Sequence, residues 1–497
     1  MRSSALPITI TKSKYIAGVQ CLKRLYLLVH SPDLGIGKTA ADFALMDQGR
    51  QVGKLAQRLF PGGLEVRTGD SQEAIRATRE LVANPDVPAI FEAAFEHNGV
   101  FVRVDILHRR RDGRWRLVEV KSSASLKEEH LDDVAVQCRV ASKSGLDVAS
   151  CSLAHVNRNY VFQGGGDIDA RRFFKIRNLT RKVQRLQPKL TFQLRSEFRV
   201  LAMPTAPDLP TGSHCMNPVP CEFFDQCNSP RPDDHIGYLP RIHAIAVEEL
   251  EEMGIELIRD VPDDFELSEI QRRACTSVRT GKPWFSPELA TELGRLKYPL
   301  CFTDFETLNP AIPRFAGMRP YDHIPFQWSV HVQREPGAEP EHYEFLAADR
   351  SDPSREFIAS LCDVLGERGS IVVYNQHFEQ ARVVELATWL PEFAERIKNI
   401  QSRLWDLLPV VRNCVYHPAF AGSYSLKYVL PALVPEMSYE GMAVANGQAA
   451  GLAWEALVRG SLDQVERENT RRALLDYCGQ DTLALVRLLD QLQSVST

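Results

Sequence analysis

Acidic side chains stand at two places in this chain where their spacing would let them hold a metal ion. In the first, Asp105 is followed by Glu119-Val120-Lys121, and in the second Asp304-Phe305-Glu306 opens a further acidic constellation. Carboxylate oxygens are the ligands that Mg²⁺ and Mn²⁺ prefer, and such ions lower the pKa of a bound water and screen a phosphate. These residue types indicate two metal-dependent sites of the kind that nucleases use.

Four of the 11 cysteines form another pattern. Cys215, Cys221 and Cys227 recur at six-residue intervals in a Pro- and Asn-rich loop, and Cys21 lies far upstream. One cysteine before a domain and three after it would tie the two ends together through a metal centre. The N-terminal residues contain two lysines and no apolar signal-peptide core, which predicts a cytoplasmic location where cysteines stay reduced. Nor does any apolar stretch reach the roughly 18 residues of a membrane span, so no membrane partner is expected.

Two strands must position the first acidic group. Residues 100–122 alternate between apolar and polar side chains and predict a β-hairpin. A two-residue turn would place Asp105 opposite Val120, whereas a three-residue turn at 111–113 places it opposite Glu119. We predict the three-residue turn, because it brings the two carboxylates together.

A strand, a strand-to-helix junction and a helix must position the second group. The candidate side chains are Asp304 and Glu306 on the strand Leu300–Thr307, Glu379 after the buried strand Ile371–Asn375, and Tyr477 and Asp481 on the helix Glu466–Leu492. Residues two apart on a strand share a face, and residues four apart on a helix do too. Each pair is therefore expected to point in one direction.

The first group and the cysteines together resemble a known class of enzyme. Asp…Glu-x-Lys is the signature of the PD-(D/E)XK nucleases, and the flanking cysteines resemble the RecB-like nucleases with an iron–sulfur clasp. The resemblance implies a metal site at Asp105 and Glu119, a water-positioning Lys121 and the family's later glutamine at Gln137. It also implies a 4Fe–4S cluster on Cys21, Cys215, Cys221 and Cys227. Zinc is the alternative, although structural zinc usually has shorter spacing such as Cys-x₂-Cys.

This front part departs from the family at its metal-binding histidine. Many RecB-like nucleases carry that histidine on the first helix after a glycine, but the comparable stretch Gly49–Gly53 has none. The nearest substitute carboxylate is Glu92.

The second group resembles the DnaQ-like 3′–5′ exonucleases of the RNase H fold, in the branch that uses tyrosine. The resemblance implies that Asp304, Glu306, Glu379 and Asp481 bind two divalent metals, with Tyr477 orienting the attacking water. Glu379 stands where aspartate is usual, and Asp406 is an alternative source of a carboxylate.

Together these features predict an α/β protein of three parts. They are a restriction-endonuclease-like core with an iron–sulfur clasp (1–234), a helical linker (235–297) and an RNase H-like mixed sheet flanked by helices (298–497). Residues 1–230 contain 33 lysines and arginines against 24 acidic residues, net +9, and the remainder, with 26 against 40, is net −14. A basic front half suits a polyanion. Aromatics such as Phe173 and Phe174 would stack bases or fill the core.

The expected function is a metal-dependent nuclease with two active sites on single-stranded DNA, including 3′–5′ exonuclease activity. Two alternatives stay open. One is a nucleic-acid-binding or redox-sensing protein with one or both sites inert, and the other is an RNA-processing exonuclease.

Overall fold

The structure is a computed structural model that describes residues 8–228, 231–460 and 462–496. It divides into two compact units, the first made of Met1–Ser229 and Pro310–Asp322 and the second of Pro230–Asn309 and His323–Thr497. Each unit combines helices with a mixed sheet, so the predicted α/β class is confirmed. The finer division into three parts stays a prediction. Among the described helices, none has the length and apolar character needed to cross a membrane.

The first unit contains eight helices and seven strands within its described residues. The helices are α1 (Lys12–Gln20), α2 (Leu22–His30), α3 (Ala40–Gln57), α4 (Ser71–Ala83), α5 (Glu129–Lys143), α6 (Ala170–Phe173), α7 (Thr180–Leu201) and α8 (Phe224–Cys227). The strands are β1 (Ile10–Thr11), β2 (Leu64–Glu65), β3 (Ala89–His97), β4 (Val100–Arg109), β5 (Trp115–Lys121), β6 (Val148–Val156) and β7 (Phe174–Asn178).

The strands of the first unit form one sheet in the order β2-β3-β4-β5-β6-β7, and β1 pairs in parallel with β4. The neighbours β3, β4 and β5 are antiparallel, whereas β6 runs parallel to β5. Alternating burial along β4 sends Val102 and Val104 into the core, as strand periodicity requires. Phe173 and Phe174 are also core residues, so they fill the core and do not stack bases.

The second unit contains ten helices and seven strands within its described residues. The helices are α9 (Ala244–Glu252), α10 (Glu269–Thr280), α11 (Leu289–Leu293), α12 (Ser354–Leu365), α13 (His377–Trp389), α14 (Ala394–Arg403), α15 (Leu407–Cys414), α16 (Leu426–Leu433), α17 (Gly447–Arg459) and α18 (Gln464–Ser496). The strands are β8 (Trp284–Phe285), β9 (Leu300–Leu308), β10 (Ile324–Gln333), β11 (Glu341–Leu346), β12 (Ser370–Val373), β13 (Leu404–Asp406) and β14 (Val415–Tyr416).

Five of these strands form a mixed sheet in the order β11-β10-β9-β12-β13. The first three are antiparallel, and β12 runs parallel to both of its neighbours. Helix α18 packs against β9 and β10, so its buried face can meet the acidic strand β9. The predicted strand at 300–307 is confirmed.

Candidate active sites

The first acidic group is built on the hairpin of β4 and β5. In the register of the two strands Ile106 pairs with Val118, which makes Asp105 and Glu119 the next pair along. The connecting turn has three residues and ends at Gly113, whose φ of 79° lies in the left-handed region that favours glycine. The predicted three-residue turn is therefore confirmed.

Glu92 adds a third carboxylate to this group. The register of β3 against β4 places Glu92 opposite Asp105, so the two glutamates flank the aspartate across three adjacent strands. The φ of Glu92 is 57°, a left-handed conformation that costs free energy for a residue other than glycine. Burial raises the pKa of both Glu92 and Asp105, and the charge of Glu119 raises them further. One oxygen of Asp105 accepts a hydrogen bond from the Val120 backbone N–H at 2.7 Å.

Glu119 is surrounded by hydrogen-bond donors. Its Oε1 accepts from the ammonium groups of Lys12 at 2.9 Å and Lys121 at 2.8 Å, and its Oε2 accepts from Gln137 Nε2 at 2.7 Å. Burial alone would raise the pKa of Glu119, but the two lysines outweigh it and hold the pKa below its usual range. Glu119 is therefore ionised, and both lysines stay protonated despite their burial because Glu119 and Asp133 raise their pKa.

Lys12 and Asp133 belong to this site, although the sequence analysis did not single them out. Asp133 on α5 pairs with Lys121 and lies 3.5 Å from the Lys12 ammonium, and its Oδ1 accepts from Gln137 Nε2 at 3.1 Å. Asp133 and Gln137 are four residues apart on one helix, a spacing that would have pointed to Asp133. Lys12 left no such signal, because the pairing of β1 with β4 determines where it lies.

The segment around Cys21 meets the segment 212–228, which carries the other three cysteines of the predicted cluster. Cys21 lies between α1 and α2. Its neighbour Gln20 donates from Nε2 to two backbone carbonyls of the distant segment at 2.7 and 2.8 Å. Arg24, one turn further on, donates from Nε to Glu222 Oε2 at 2.8 Å. The two segments therefore meet in the first unit, and their joining through a metal centre stays a prediction.

The thiols of this cluster are close enough to influence one another. Burial raises the pKa of Cys221 and Cys227, and the charge of Cys21 adds to the rise at both. The Gly212 backbone N–H donates to Cys215 Sγ at 3.5 Å. Among the described residues, no three cysteine sulfurs lie within 4.8 Å of one another. Four cysteine thiols are a donor set that either an iron–sulfur cluster or zinc accepts, so the choice between the two stays a prediction.

The second acidic group converges in the second unit. One carboxylate oxygen from each of Asp304, Glu306 and Asp481 lies within 4.8 Å of the others. Asp304 and Glu306 project from β9, and Asp481 projects from the face of α18 that packs on that strand. The structure thus brings these three predicted residues together, and their role in binding metal stays a prediction. Gly447, at the start of α17, leaves room for the site, because a Cβ there would lie 3.0 Å from Glu306 Oε2.

Two tyrosines donate hydrogen bonds to Asp481. Tyr439 Oη donates to Asp481 Oδ1 at 2.7 Å, and Tyr477, one turn before Asp481 on α18, bonds to the same carboxylate. Tyr477 was predicted at this position, but Tyr439 was not. Tyr439 lies in the loop between α16 and α17, where no helical or strand period links it to a motif.

The carboxylates of the second site are held in a medium that disfavours their charge. Burial raises the pKa of Asp304 well above its usual value, and Asp481 and Glu306 raise it further. Burial and the charge of Asp481 raise the pKa of Glu306 to about 8, and burial raises that of Asp481 to about 6. Within the described part of the chain, none of the three forms an ion pair with lysine or arginine. Bound cations would relieve this repulsion, so the donor set fits divalent metal.

Glu379 and Asp406 were alternative sources of the fourth carboxylate. Asp406 accepts hydrogen bonds from three backbone N–H groups, at 2.9 Å from Asn375, 3.0 Å from Gln376 and 3.0 Å from Leu408. Glu379, in the first turn of α13, has a buried Oε2 without a hydrogen-bond partner, and its charge raises the pKa of Asp304. Its own pKa is raised to about 8 by burial. Glu379 is therefore the carboxylate with a free ligand atom, although it lies outside the group of three.

Comparisons with known proteins match parts of the chain. The model of a family described as a domain of unknown function, DUF2779, matches residues 301–425, a stretch that includes Asp304 and Glu306 but ends before Asp481. An uncharacterized protein of Mycoplasma pneumoniae, the MG366 homolog, is 26% identical over 212 residues, or 39% of this chain and 32% of that protein. The uncharacterized protein UU173 of Ureaplasma parvum is 22% identical over 213 residues, 39% of this chain and 31% of its own.

The chain thus spans about a third of the length of these curated relatives. A solved structure titled "Crystal structure of SSO0001" is 13% identical, covers 41% of this chain and 90% of its own, and has a TM-score of 0.20.

Proposed function

We propose that this protein is a metal-dependent nuclease with two active sites that hydrolyses phosphodiester bonds, with single-stranded DNA as its preferred polymer. One observation carries the proposal. Asp304, Glu306 and Asp481 bring three carboxylate oxygens within 4.8 Å of one another in a partly buried site, without a neutralising ion pair among the described residues. Such an arrangement is costly unless cations join it, and carboxylate-bound cations are the means by which nucleases activate water.

In the second site Asp304, Glu306, Asp481 and Glu379 would hold Mg²⁺ or Mn²⁺. When bound, these ions supply a water of lowered pKa and stabilise charge on the phosphate. The Tyr477 hydroxyl, on the edge of the carboxylate group, would orient the attacking water toward phosphorus. The mixed five-stranded sheet flanked by helices supports the RNase H-like interpretation of this unit, and with it a 3′–5′ exonuclease.

In the first site Asp105, Glu119 and Glu92 would hold the metal, since their strands set them side by side. We assign to Lys121 the positioning of water and to Lys12 the stabilisation of negative charge on the phosphate. Gln137 and Asp133 fix the orientation of Glu119 and of the two ammonium groups through their hydrogen bonds. This assignment agrees with the RecB-like interpretation and gives Glu92 the role of the family's missing histidine.

A 4Fe–4S cluster on Cys21, Cys215, Cys221 and Cys227 would serve structure in this proposal. Its ligands come from the two segments that Gln20 and Arg24 already join, so the cluster would hold α1 against the segment 212–228. Because Lys12 is at the start of α1, a loss of the cluster would loosen a residue of the first site.

One face of α7 supports a nucleic-acid partner. It carries a stripe of exposed residues at three- and four-residue spacing, namely Arg181, Arg185, Lys189, Phe192, Arg195 and Arg199. None of these cations forms a salt bridge within the described part of the chain. Phosphates bind such cations, and the 71%-exposed Phe192 offers a face on which a base can stack.

The test uses protein purified without oxygen and single-stranded DNA labelled separately at each end, with Mg²⁺ or Mn²⁺. Wild type is run beside Asp105→Asn, Asp481→Asn and the double variant. Asp476→Asn is the matched control, because Asp476 is an exposed aspartate on the same helix as Asp481. We expect two activities, each lost with its own variant and neither affected in the control.

Three other results would redirect the proposal. Loss of activity in the control as well as in Asp481→Asn would point to damage to α18 and not to lost chemistry. Cleavage of RNA alone under the same conditions would favour the RNA-processing exonuclease. If the wild type cleaves neither polymer but binds DNA in a salt-sensitive manner, the nucleic-acid-binding protein would be favoured.

A further inference from the structure

A cavity of about 510 Å³ opens beside the second acidic group. Asp304 and Asp481 contribute to its lining, and half of the other ten lining residues are aromatic or aliphatic. The apolar lining includes Tyr424, Leu426 and Leu485, and the polar lining includes Arg241 and Arg412. A volume of this size suits a small organic ligand with an apolar part and a few polar groups. It is far larger than a single phosphate ion needs.

Two arginines line this cavity without a protein partner. Arg412, on α15, has a buried Nε–H that meets no acceptor, and Arg241 forms neither an ion pair nor a hydrogen bond within the residues that the structure describes. Burial raises the pKa of the Tyr424 phenol, and the charges of both guanidinium groups, together with that of Arg273, act to lower it, so both arginines lie in the neighbourhood of this lining residue. An unpaired buried donor is costly, so its persistence points to an acceptor that arrives with a ligand.

Other arginines of the same unit show how structural arginines are used. Arg403 donates to four backbone carbonyls, among them those of Arg368 and Gly366, each at 2.7 Å. Arg382 makes a pair of bonds with Glu385, at 2.9 and 2.7 Å. In contrast, Arg412 and Arg241 have fork-shaped donors that are left open, and a fork of this kind matches the oxygens of a phosphate.

We propose that the cavity binds one nucleotide at the end of the strand and that Arg412 and Arg241 hold a second phosphate, one nucleotide away from the phosphate that is cut. The inference rests on the proposed function, since it places the scissile phosphate at the carboxylates. The aromatic and leucine walls would take the base and sugar, with Tyr424 as the stacking surface. The second site would thereby favour a nucleoside with phosphates on both sides, one of which is the phosphate that is cut.

The first experiment measures binding alone, so that it does not depend on catalysis. In the presence of Mn²⁺, calorimetry compares 2′-deoxyadenosine 3′,5′-bisphosphate with the 5′-monophosphate on the full-length protein. We expect the bisphosphate to bind at least tenfold more tightly, and that preference to vanish in Arg412→Gln and in Arg241→Gln. Arg355→Gln is the control, because Arg355 is an exposed arginine that pairs with Glu392 outside the cavity.

The choice of variants guards against simple unfolding. Arg241 is exposed, and its side chain forms no hydrogen bond or ion pair among the described residues, so its variant keeps the measurement interpretable if Arg412→Gln loses its thermal transition. Equal binding of both nucleotides by the wild type, or an unchanged preference in Arg241→Gln and a folded Arg412→Gln, would overturn the inference. If the bisphosphate binds tightly and this binding depends on the two arginines, but the protein cleaves no polymer, the nucleotide-binding role of the cavity would stand and the proposed nuclease activity would be refuted.

The second experiment finds the source of the phosphate. Oligonucleotides ending in a 3′-phosphate are compared with 3′-hydroxyl ends, and 5′-phosphorylated dinucleotides with unphosphorylated ones. A lower KM for the 3′-phosphate, lost in Arg241→Gln, identifies the terminal phosphate as the one bound. A lower KM for the 5′-phosphorylated dinucleotide, lost in the same variant, identifies the neighbouring phosphate of the strand. A KM indifferent to both phosphates contradicts the inference.

Discussion

Glu197 on α7 allows the effect of burial on a carboxyl pKa to be tested without any assay of function. The side chain is fully buried beneath α1 and so close to Gly18 that a Cβ there would lie 2.5 Å from Glu197 Oε1. Its Oε1 accepts from Gln193 Nε2 at 2.9 Å, and its Oε2 has no partner. Burial raises its pKa to about 8, so the carboxyl group is protonated in the folded protein at neutral pH.

The pH dependence follows from the difference between folded and unfolded states. Because the folded-state pKa of about 8 exceeds the ordinary value of 4.5, the folded protein binds more protons than the unfolded chain between those values. The free energy of unfolding therefore falls as the pH rises through that window, by about 2.5 kcal/mol between pH 5 and pH 7. Below pH 4.5 this group leaves stability unchanged.

The test compares urea unfolding of the wild type and of Glu197→Gln at pH 5, 6 and 7. Glutamine keeps the shape of the protonated acid and cannot ionise, so we expect the variant to gain about 2.5 kcal/mol relative to the wild type over this range. Glu80→Gln, at an exposed position on α4, is the matched control and should follow the wild type. If Glu197→Gln and the wild type lose stability in parallel from pH 5 to pH 7, the burial argument for Glu197 is wrong.

Three further predictions concern the candidate sites and the hairpin. Mn²⁺ binding to the second site should weaken as the pH falls from 8 to 6, because Glu306, with a pKa of about 8, takes up a proton that competes with the metal. Calorimetry measures the affinity, with Asp304→Asn as the non-binding control. An affinity that does not change with pH would contradict the prediction. Cys221→Ala should lose the iron and the visible absorption of anaerobically purified protein, whereas Cys301→Ala, a buried thiol of the second unit, should keep both. Gly113→Ala should lower the free energy of unfolding by about 1 kcal/mol, since φ is 79° there. In the same urea titration Gly113→Asn should lower the free energy of unfolding by less. Equal decreases in the two variants would refute the left-handed turn.

Local patterns in the sequence were sufficient to predict several residues of the first and second candidate sites. Alternation along β4 and β5 and the turn residues determine one register, so the pairing of Asp105 with Glu119 was predictable. The i, i+4 spacing of Tyr477 and Asp481 was likewise sufficient to place both on one face of α18. In each case a short-range period fixes the direction of a side chain.

The residues that were missed reach their sites through tertiary structure. Lys12 depends on a two-residue strand that pairs with β4, and Tyr439 on a loop between two helices. Arg241 and Arg412 meet at a cavity although 171 positions separate them in the chain. A helical or strand period in the sequence cannot predict such contacts, because they form only when separate elements pack together.

Residues 310–322 have a consequence for anyone who wishes to divide this protein. They lie in the connection between β9 and β10, strands of the second unit, yet they belong to the first unit, where the Gly317 N–H donates to the Phe162 carbonyl at 2.7 Å. The polypeptide therefore passes from one unit to the other three times. A single proteolytic nick or truncation cannot release either unit whole, so the roles of the two candidate sites are better separated by point substitutions than by cutting.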